Sequence, residues 1–312
     1  MSLSLTAIIL IISVFFHYII QRIFVKYQKF DDINHRSAHN VLATRTGGIG
    51  IFLTLLLVCL FYYFKGIELF DYSLFIPLGI MFIVGVYDDF YRADFKLKFL
   101  LQIIVAKILI DQGFVISNYY GLFGLYEVPW VLAQATTVFV FLIVVNSFNF
   151  IDGIDGLAIS EAIKIIVVFN FFVRGDFTLS VLGGIVVVSL LPLFYFNFKR
   201  NKKIFLGDSG SLFLGTLIMI YLLSILKDEQ LLVLDLNKTL FVIIVLLYPL
   251  IDLLRVFFIR VYNRKSPFEP DQNHLHHIIS NHFNSHLKAL LVIIFSSLLI
   301  LFLLLLNYKM TC

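Results

Sequence analysis

Charged side chains are scarce in this chain of 312 residues: they make up 14% of it, whereas 60% is hydrophobic. A soluble protein of this length would need far more polar surface, so the composition excludes a soluble fold and predicts an integral membrane protein. Cysteine is nearly absent, and Cys59 and Cys312 lie in or beside apolar segments, so no disulfide framework is indicated. Internal repeats and low-complexity tracts are also missing. We therefore expect a single integral membrane domain over residues 1–312.

Long apolar runs dominate what the chain does contain. A transmembrane helix needs about 20 mostly apolar residues. This criterion predicts an all-α polytopic membrane protein of about ten transmembrane helices, at roughly 3–24, 47–64, 73–87, 99–112, 130–148, 157–173, 178–197, 211–226, 239–259 and 288–307.

The basic residues are distributed unequally between the two sides of these spans. Connections after the first, third, fifth, seventh and ninth spans must face one side, because successive spans alternate in direction. Of the 24 lysines and arginines, seventeen fall on that side, five on the other and two inside spans. The positive-inside rule then makes that side cytoplasmic and leaves both termini outside.

Aspartates cluster at the ends of apolar segments on this same side. Asp88 and Asp89 end the third span, Asp152 and Asp155 follow the fifth, and Asp208 precedes the eighth. A charged side chain at the centre of a membrane helix costs roughly 2.5–3.5 kcal/mol, so such carboxylates usually hold a cation, a proton or a substrate.

Each aspartate motif can be explained by a specific chemistry or by a simpler structural role. The pair Asp88-Asp89 needs a cation or a basic partner to remain ionised, but it could also be a solvated span end. In Asn149-Phe-Ile-Asp152-Gly-Ile-Asp155-Gly-Leu157, the glycines let the backbone approach a ligand closely, although Asp-Gly is also common in turns. The glycine-rich turn at Asp208 leads into a helix, where backbone N–H groups can bind an anion and Asp208 can ligate a metal bridging to it.

Histidines and basic residues share the connections on this side. His274-Leu-His276-His277 could bind zinc, contact a phosphate or donate a proton, and no cysteine accompanies it. His282 and His286 are expected on a solvated or interfacial face. The first connection contains Arg36, His39 and Arg45, where Arg45 suits a pyrophosphate or a lipid phosphate, although the residues alone favour a membrane anchor. Anchoring also explains the basic run at 199–203.

Four of these stretches, in this order, resemble the polyprenyl-phosphate N-acetylhexosamine-1-phosphate transferase family (glycosyltransferase family 4), which is related to phospho-MurNAc-pentapeptide transferase. The matching stretches are Gly85-Val-Tyr-Asp88-Asp89 with Lys98-Phe-Leu-Leu-Gln102, Asn149 to Leu157, Phe205 to Gly215, and Asp271-Gln-Asn-His274-Leu-His276-His277. The resemblance covers nearly the whole chain and implies ten or eleven spans. Its His-Leu-His-His loop is similar to that of enzymes that initiate O-antigen, capsule or teichoic acid synthesis.

The resemblance implies transfer of an N-acetylhexosamine 1-phosphate from a UDP-sugar, such as UDP-GlcNAc, to undecaprenyl phosphate at the bacterial inner membrane, with release of UMP. It implies catalytic and Mg²⁺-ligating roles for Asp88, Asp89 and Asp208, with Mn²⁺ as an alternative ion. It implies substrate-binding roles for Arg45, Lys98, Asn149, Asp152, Asp155, His274, His276 and His277. The expected partners are undecaprenyl phosphate, the UDP-sugar and the lipid bilayer, without nucleic acid; a homodimer is left open.

Two other classes of membrane protein also place carboxylates near apolar segments. A Mg²⁺-dependent prenyltransferase needs two spaced Asp-x-x-x-Asp clusters, and the interval from Asp88 to Asp94 does not provide one. An ion-coupled transporter would hold its ions at mid-span, beside broken helices. The candidates for such buried charges are Lys107, Glu161, Lys164 and Asp252.

Overall fold

The computed structural model describes residues 2–31, 42–174, 177–227, 231–232, 237–266 and 273–311. Most of these residues are helical, which confirms the prediction of an all-α membrane protein. The helices are α1 (Leu3–Lys26), α2 (Gly47–Phe64), α3 (Phe75–Tyr91), α4 (Phe95–Asp111), α5 (Trp130–Ile151), α6 (Leu157–Phe172), α7 (Phe177–Asn197), α8 (Gly207–Ile225), α9 (Lys238–Val245), α10 (Leu247–Tyr262), α11 (Leu275–Phe283) and α12 (His286–Thr311). The short strands are β1 (Ala43–Arg45), β2 (Val173–Arg174), β3 (Lys203–Phe205) and β4 (Leu231–Leu232).

The number of spans is smaller than the ten predicted. Within the described residues, seven helical segments are long and apolar enough to cross a membrane, or eight if α9 and α10, bent by 71° to one another, form one broken span. Helices α4 and α6 form where spans were expected, but they have 17 and 16 residues. These lengths are at or just below the lower limit of the roughly 17–25 residues found in membrane spans.

Helix α8 is the centre of the bundle. Its residues from Leu212 to Ile225 are buried on every side, and a helix that is apolar all round is typical of a protein core. Helices α3 and α5 make the most extensive contacts with α8, and α2, α6 and α9 also pack against it. The first turn of α8, which contains Asp208, is therefore held by several helices at once.

Two glycines bring neighbouring backbones against that first turn. A Cβ added at Gly85 on α3 would lie 2.3 Å from the carbonyl oxygen of Asp208, and one at Gly48 on α2 would lie 2.2 Å from the amide nitrogen of Gly210. Small residues permit this close approach of helices in membranes. The positions of α2 and α3 relative to Asp208 thus depend on having glycine, which lacks a side chain, at positions 48 and 85.

A two-stranded parallel pairing sets the starts of α2 and α8 side by side. Strand β1 pairs with β3 in a register that places Arg45 opposite Phe205. Each strand runs directly into its helix, and the amide of Gly48 donates to the carbonyl of Leu206 at 2.9 Å. The pairing therefore carries Arg45 to the N-terminus of α8, although the two segments are far apart in the chain.

Replacing Gly85 with alanine should destabilise the protein by about 1–3 kcal/mol, the usual cost of overpacking a close contact. The matched control is Gly79→Ala on the same helix, where a Cβ would meet only Phe52 at 3.9 Å. Thermal unfolding of the purified protein in detergent measures the difference. Equal unfolding temperatures for the two variants would show that the α3–α8 contact tolerates a methyl group.

Candidate active site

Asp89 caps the N-terminus of α8 from the last turn of α3. Its Oδ1 accepts a hydrogen bond from the amide of Asp208 at 2.9 Å, and its Oδ2 accepts one from the amide of Ser209 at 3.0 Å. The first amides of a helix have no partner within the helix, and a carboxylate there also interacts favourably with the helix dipole. The preceding Gly207 turns the chain with φ of 75°. Asp89 thereby fixes the backbone position from which the side chain of Asp208 extends.

Asp208 lies between two basic side chains and an amide. Its Oδ1 is 3.6 Å from Nζ of Lys98 and accepts a hydrogen bond from Nδ2 of Asn149, while its Oδ2 is 3.7 Å from Nη1 of Arg45. Asn149 also donates to the hydroxyl of Ser211 at 2.9 Å. Among Asp88, Asp89 and Asp208, the side chain of Asp208 is the most exposed, at 20%. It is thus the carboxylate most accessible to a ligand.

Asp88 is the third carboxylate of the site. Its Oδ2 is paired with Lys98, and its Oδ1 accepts a hydrogen bond from the amide of Ala93 at 2.7 Å. Lys98 therefore bridges Asp88 and Asp208, which come from different helices. The alternative that Asp88-Asp89 is only a solvated span end is excluded, because both carboxylates have specific partners.

Arg45 connects the carboxylates to a neighbouring cavity. Its guanidinium is 2.8 Å from Asp31 and 3.9 Å from Asp89. Burial acts to lower the pKa of Arg45, but the carboxylates of Asp31, Asp208 and Asp89 together raise it above its ordinary value. The cavity, of about 230 Å³, is lined by Phe24, Lys29, Phe30, Asp31, Arg45, Asp89, Phe90 and Arg92. Guanidinium and phenyl groups together suit a phosphate with an apolar substituent.

The turn at Asp152 and Gly153 faces both the carboxylates of Asp89 and Asp208 and the histidine segment, residues 274–277. Burial, followed by the charges of Asp208 and Asp89, raises the pKa of Asp152 well above its usual range. A Cβ at Gly153 would lie 2.2 Å from Nε2 of His276 and 3.1 Å from His277. Burial and then the neighbouring histidines lower the pKa of His277 to about 4, so its imidazole is neutral at neutral pH.

Asp155 has different partners from the other aspartates. It pairs with Lys203 and lies 3.0 Å from Nδ1 of His286. Burial acts to raise the pKa of Asp155, but hydrogen bonds with His286 and Lys203 hold it below its ordinary value. The sequence-based expectations, a solvated or interfacial face for His286 and a membrane anchor for Lys203, did not include these contacts with Asp155. Sequence spacing contained no signal for either contact.

The structure also assigns a partner to His274 that sequence reasoning missed. Asp252 on α10 lies 2.7 Å from Nδ1 of His274, and its other oxygen accepts the amide hydrogen of Leu275 at 2.6 Å. Asp252 had been considered only as a buried charge of a transporter. The sequence signal that could have found it is a single aspartate within an apolar span. Asp271, Arg36 and His39 lie outside the described residues.

The carboxylates fit a hard divalent cation. Asp88, Asp89 and Asp208 share two cationic side chains, Lys98 and Arg45, and Arg45 also pairs with Asp31. The carboxylate oxygens of Asp208 and Asp88 are hard oxygen ligands of the kind that Mg²⁺ prefers. The arrangement can therefore hold Mg²⁺ on Asp208 and Asp88 and can bind phosphate oxygens through Lys98 and Arg45.

Comparison with known proteins adds a consistent finding. A family model described as glycosyl transferase family 4 matches residues 71–226. A "Probable undecaprenyl-phosphate N-acetylglucosaminyl 1-phosphate transferase" of Bacillus subtilis (strain 168) is 31% identical over 284 residues, which cover 88% of this chain and 76% of the relative. An "Undecaprenyl-phosphate alpha-N-acetylglucosaminyl 1-phosphate transferase" of Yersinia pestis is 25% identical over 287 residues, covering 87% and 74%. The protein so described from Escherichia coli (strain K12) is 26% identical over 283 residues, covering 87% and 74%.

The contact between Asp155 and Lys203 predicts a pH-dependent contribution to stability. Because the pKa of Asp155 is lower in the folded protein, its stabilisation is present above the unfolded value of about 4 and is lost as pH falls through the folded value. Lys203→Met should cost about 1.5–3 kcal/mol near neutral pH, as expected for a hydrogen bond to a charged group. Below about pH 4 the difference from wild type should shrink.

The matched control is Lys202→Met, which changes an exposed neighbouring lysine. Thermal unfolding of the three proteins at several pH values provides the comparison. A difference between wild type and Lys203→Met that stays constant with pH would contradict the assignment.

Proposed function

The chain belongs to glycosyl transferase family 4, and on this premise we propose that it transfers N-acetylglucosamine 1-phosphate from UDP-GlcNAc to undecaprenyl phosphate. The observation that carries the proposal is the position of Asp208 at the start of the central helix, between Lys98, Arg45 and Asn149. A diphosphate, a divalent cation and a lipid phosphate all need such a mixed set of carboxylate and basic groups at a membrane surface.

The sugar is proposed from the relatives, whose names specify N-acetylglucosaminyl transfer. The uridine nucleotide follows from the resemblance of the chain's motifs to the family. A related UDP-N-acetylamino sugar is the second candidate donor, because the histidine segment resembles that of enzymes that initiate several surface polysaccharides.

The reaction is a phosphoryl transfer between two phosphates. An oxygen of the lipid phosphate attacks the sugar-bearing β-phosphorus, and the bond from that phosphorus to the bridging oxygen breaks. UMP leaves with the bridging oxygen, and the product is undecaprenyl-pyrophosphoryl-N-acetylglucosamine. Such a reaction depends mainly on positioning and on stabilising the charge that moves onto the leaving group.

Lys98 and Arg45 are placed to bind the phosphate oxygens, because each already lies beside Asp208. Mg²⁺, when bound by Asp208 and Asp88, would neutralise charge on the diphosphate. Asp89 keeps the first turn of α8 in place through its two backbone hydrogen bonds. We place the lipid phosphate in the cavity beside Arg45, where phenyl groups adjoin basic ones.

Asp88 is proposed to align or deprotonate the lipid phosphate, since it adjoins Lys98 at the edge of the group. Asn149 and Asp152 would hold the uridine diphosphate portion, and Asp155 would support the turn through Lys203 and His286. His276 and His277 would line the far side of the Asp152 turn, with His274 beside them. The rival mechanism forms a covalent aspartyl-phosphate on one carboxylate.

A bacterial cytoplasmic membrane location with the site facing the cytoplasm is part of the proposal. Counted over the ten spans predicted from the sequence, seventeen basic residues lie on the motif side and five on the other, and this positive-inside bias supports the orientation. UDP-sugars are cytoplasmic substrates, so the same orientation gives the site access to its donor.

Asp208→Asn should lower turnover by at least about 10²-fold, because the transition state loses a charged group that holds the cation. The assay contains the purified protein, undecaprenyl phosphate, Mg²⁺ and UDP-GlcNAc, and it measures UMP. Asp94→Asn is the matched control: Asp94 is an exposed cap of α4, and asparagine caps a helix equally well. Absence of UMP with every UDP-N-acetylamino sugar tested would refute the proposed function.

Cysteine labelling tests the orientation. In a variant with Cys59 and Cys312 replaced by serine, we expect Lys65→Cys to react with a membrane-impermeant maleimide in intact spheroplasts. Arg200→Cys, exposed at the opposite end of the bundle, should react only after lysis. The reverse pattern would place the site outside the cell.

A further inference from the structure

A second group of ligating side chains lies between α10 and the start of α11. Oδ2 of Asp252 is 2.7 Å from Nδ1 of His274 and 3.6 Å from Nδ1 of His276. One potential ligand atom from each of the three residues lies within 4.8 Å of those of the other two, and all three residues are buried. Nothing in the proposed phosphoryl transfer uses Asp252.

His276 is the unusual member of this group. Its side chain is fully buried, yet neither ring nitrogen has a hydrogen-bond partner among the described residues. A buried polar group without a partner costs about 1–3 kcal/mol. The 3.6 Å between Nδ1 and the carboxylate is too long for a hydrogen bond. The nitrogen therefore points towards an acidic oxygen that it does not reach, as a ligand of a shared ion does.

We propose that Asp252, His274 and His276 bind a divalent transition-metal ion such as Zn²⁺ through Oδ2 of the carboxylate and Nδ1 of each imidazole. Two imidazoles and a carboxylate are a recurrent ligand set for such ions. Bonds of about 2.0–2.2 Å place neighbouring ligand atoms roughly 3.3 Å apart in a tetrahedral site. The two observed separations lie on either side of that value.

The chemistry of the ligands separates this ion from the one proposed at Asp208. Mg²⁺ selects oxygen ligands, whereas imidazole suits Zn²⁺, Fe²⁺ and Co²⁺. Three protein ligands also leave a coordination position for a water molecule.

The ion would join α10 to the histidine segment. Coordination through Nδ1 places the remaining proton of each ring on Nε2. Nε2 of His276 lies directly against Gly153, in the turn that contains Asp152. The ion would thereby hold the histidine segment against this turn, and this role is independent of which sugar or lipid the enzyme uses.

Cobalt binding tests the proposal directly. The full-length protein, carrying a tag without histidine, is purified in detergent, stripped with a chelator and titrated with Co²⁺. We expect about one tightly bound Co²⁺ per chain with visible ligand-field absorption, displaced by Zn²⁺ but not by Mg²⁺. Asp252→Asn and His276→Gln should each weaken Co²⁺ binding by at least about tenfold.

Two controls make the result specific. His282→Gln changes an exposed histidine on the same helix and should bind Co²⁺ like wild type. Asp208→Asn should also bind Co²⁺ normally while lacking transferase activity, which separates this proposal from the proposed function. Helix content and elution volume verify that each variant is folded. If wild type binds no Co²⁺, or if Asp252→Asn and His276→Gln bind it as tightly as wild type, the site does not exist.

Discussion

The structure depends on the hydrogen bonds between the Asp89 carboxylate and the first amides of α8. Helix α8 is buried on all sides, so the unpaired amides at its start need a protein partner more than those of a surface helix. Asp89 supplies that partner from the end of α3 and adds a favourable interaction with the helix dipole. The same contact determines where Asp208 lies. The same two hydrogen bonds therefore contribute both to the packing of the core and to the geometry of the site.

Carboxylates at this membrane boundary are stabilised by sharing cations. Lys98 links Asp88 to Asp208, and Arg45 links Asp208 to Asp31. The shared partners explain how positive and negative groups can alternate in a small volume.

Sequence reasoning worked well where the physical signal was local and less well where it was not. Runs of apolar residues predicted helices at the correct places, but the lengths of α4 and α6 are at or just below the lower limit for a membrane span. Asp88, Asp89, Asn149 and Asp208 were selected as site residues because they lie at the ends of apolar segments, in motifs that resemble those of the family. Lys203 was assigned to a membrane anchor as part of a basic run, and His286 to a solvated or interfacial face, because the local sequence contains no sign of the distant Asp155.

The sequence by itself determined the membrane class, the helical architecture and the family. These follow from hydropathy and from short motifs, neither of which requires knowledge of distant contacts. Only the tertiary structure decided which carboxylate meets which base. Asp89 and Asp208 are 119 positions apart, and they meet because α3 packs against α8 through Gly85. Contacts between residues so far apart in the chain are determined by helix packing, and the pattern of residues along the sequence does not reveal them.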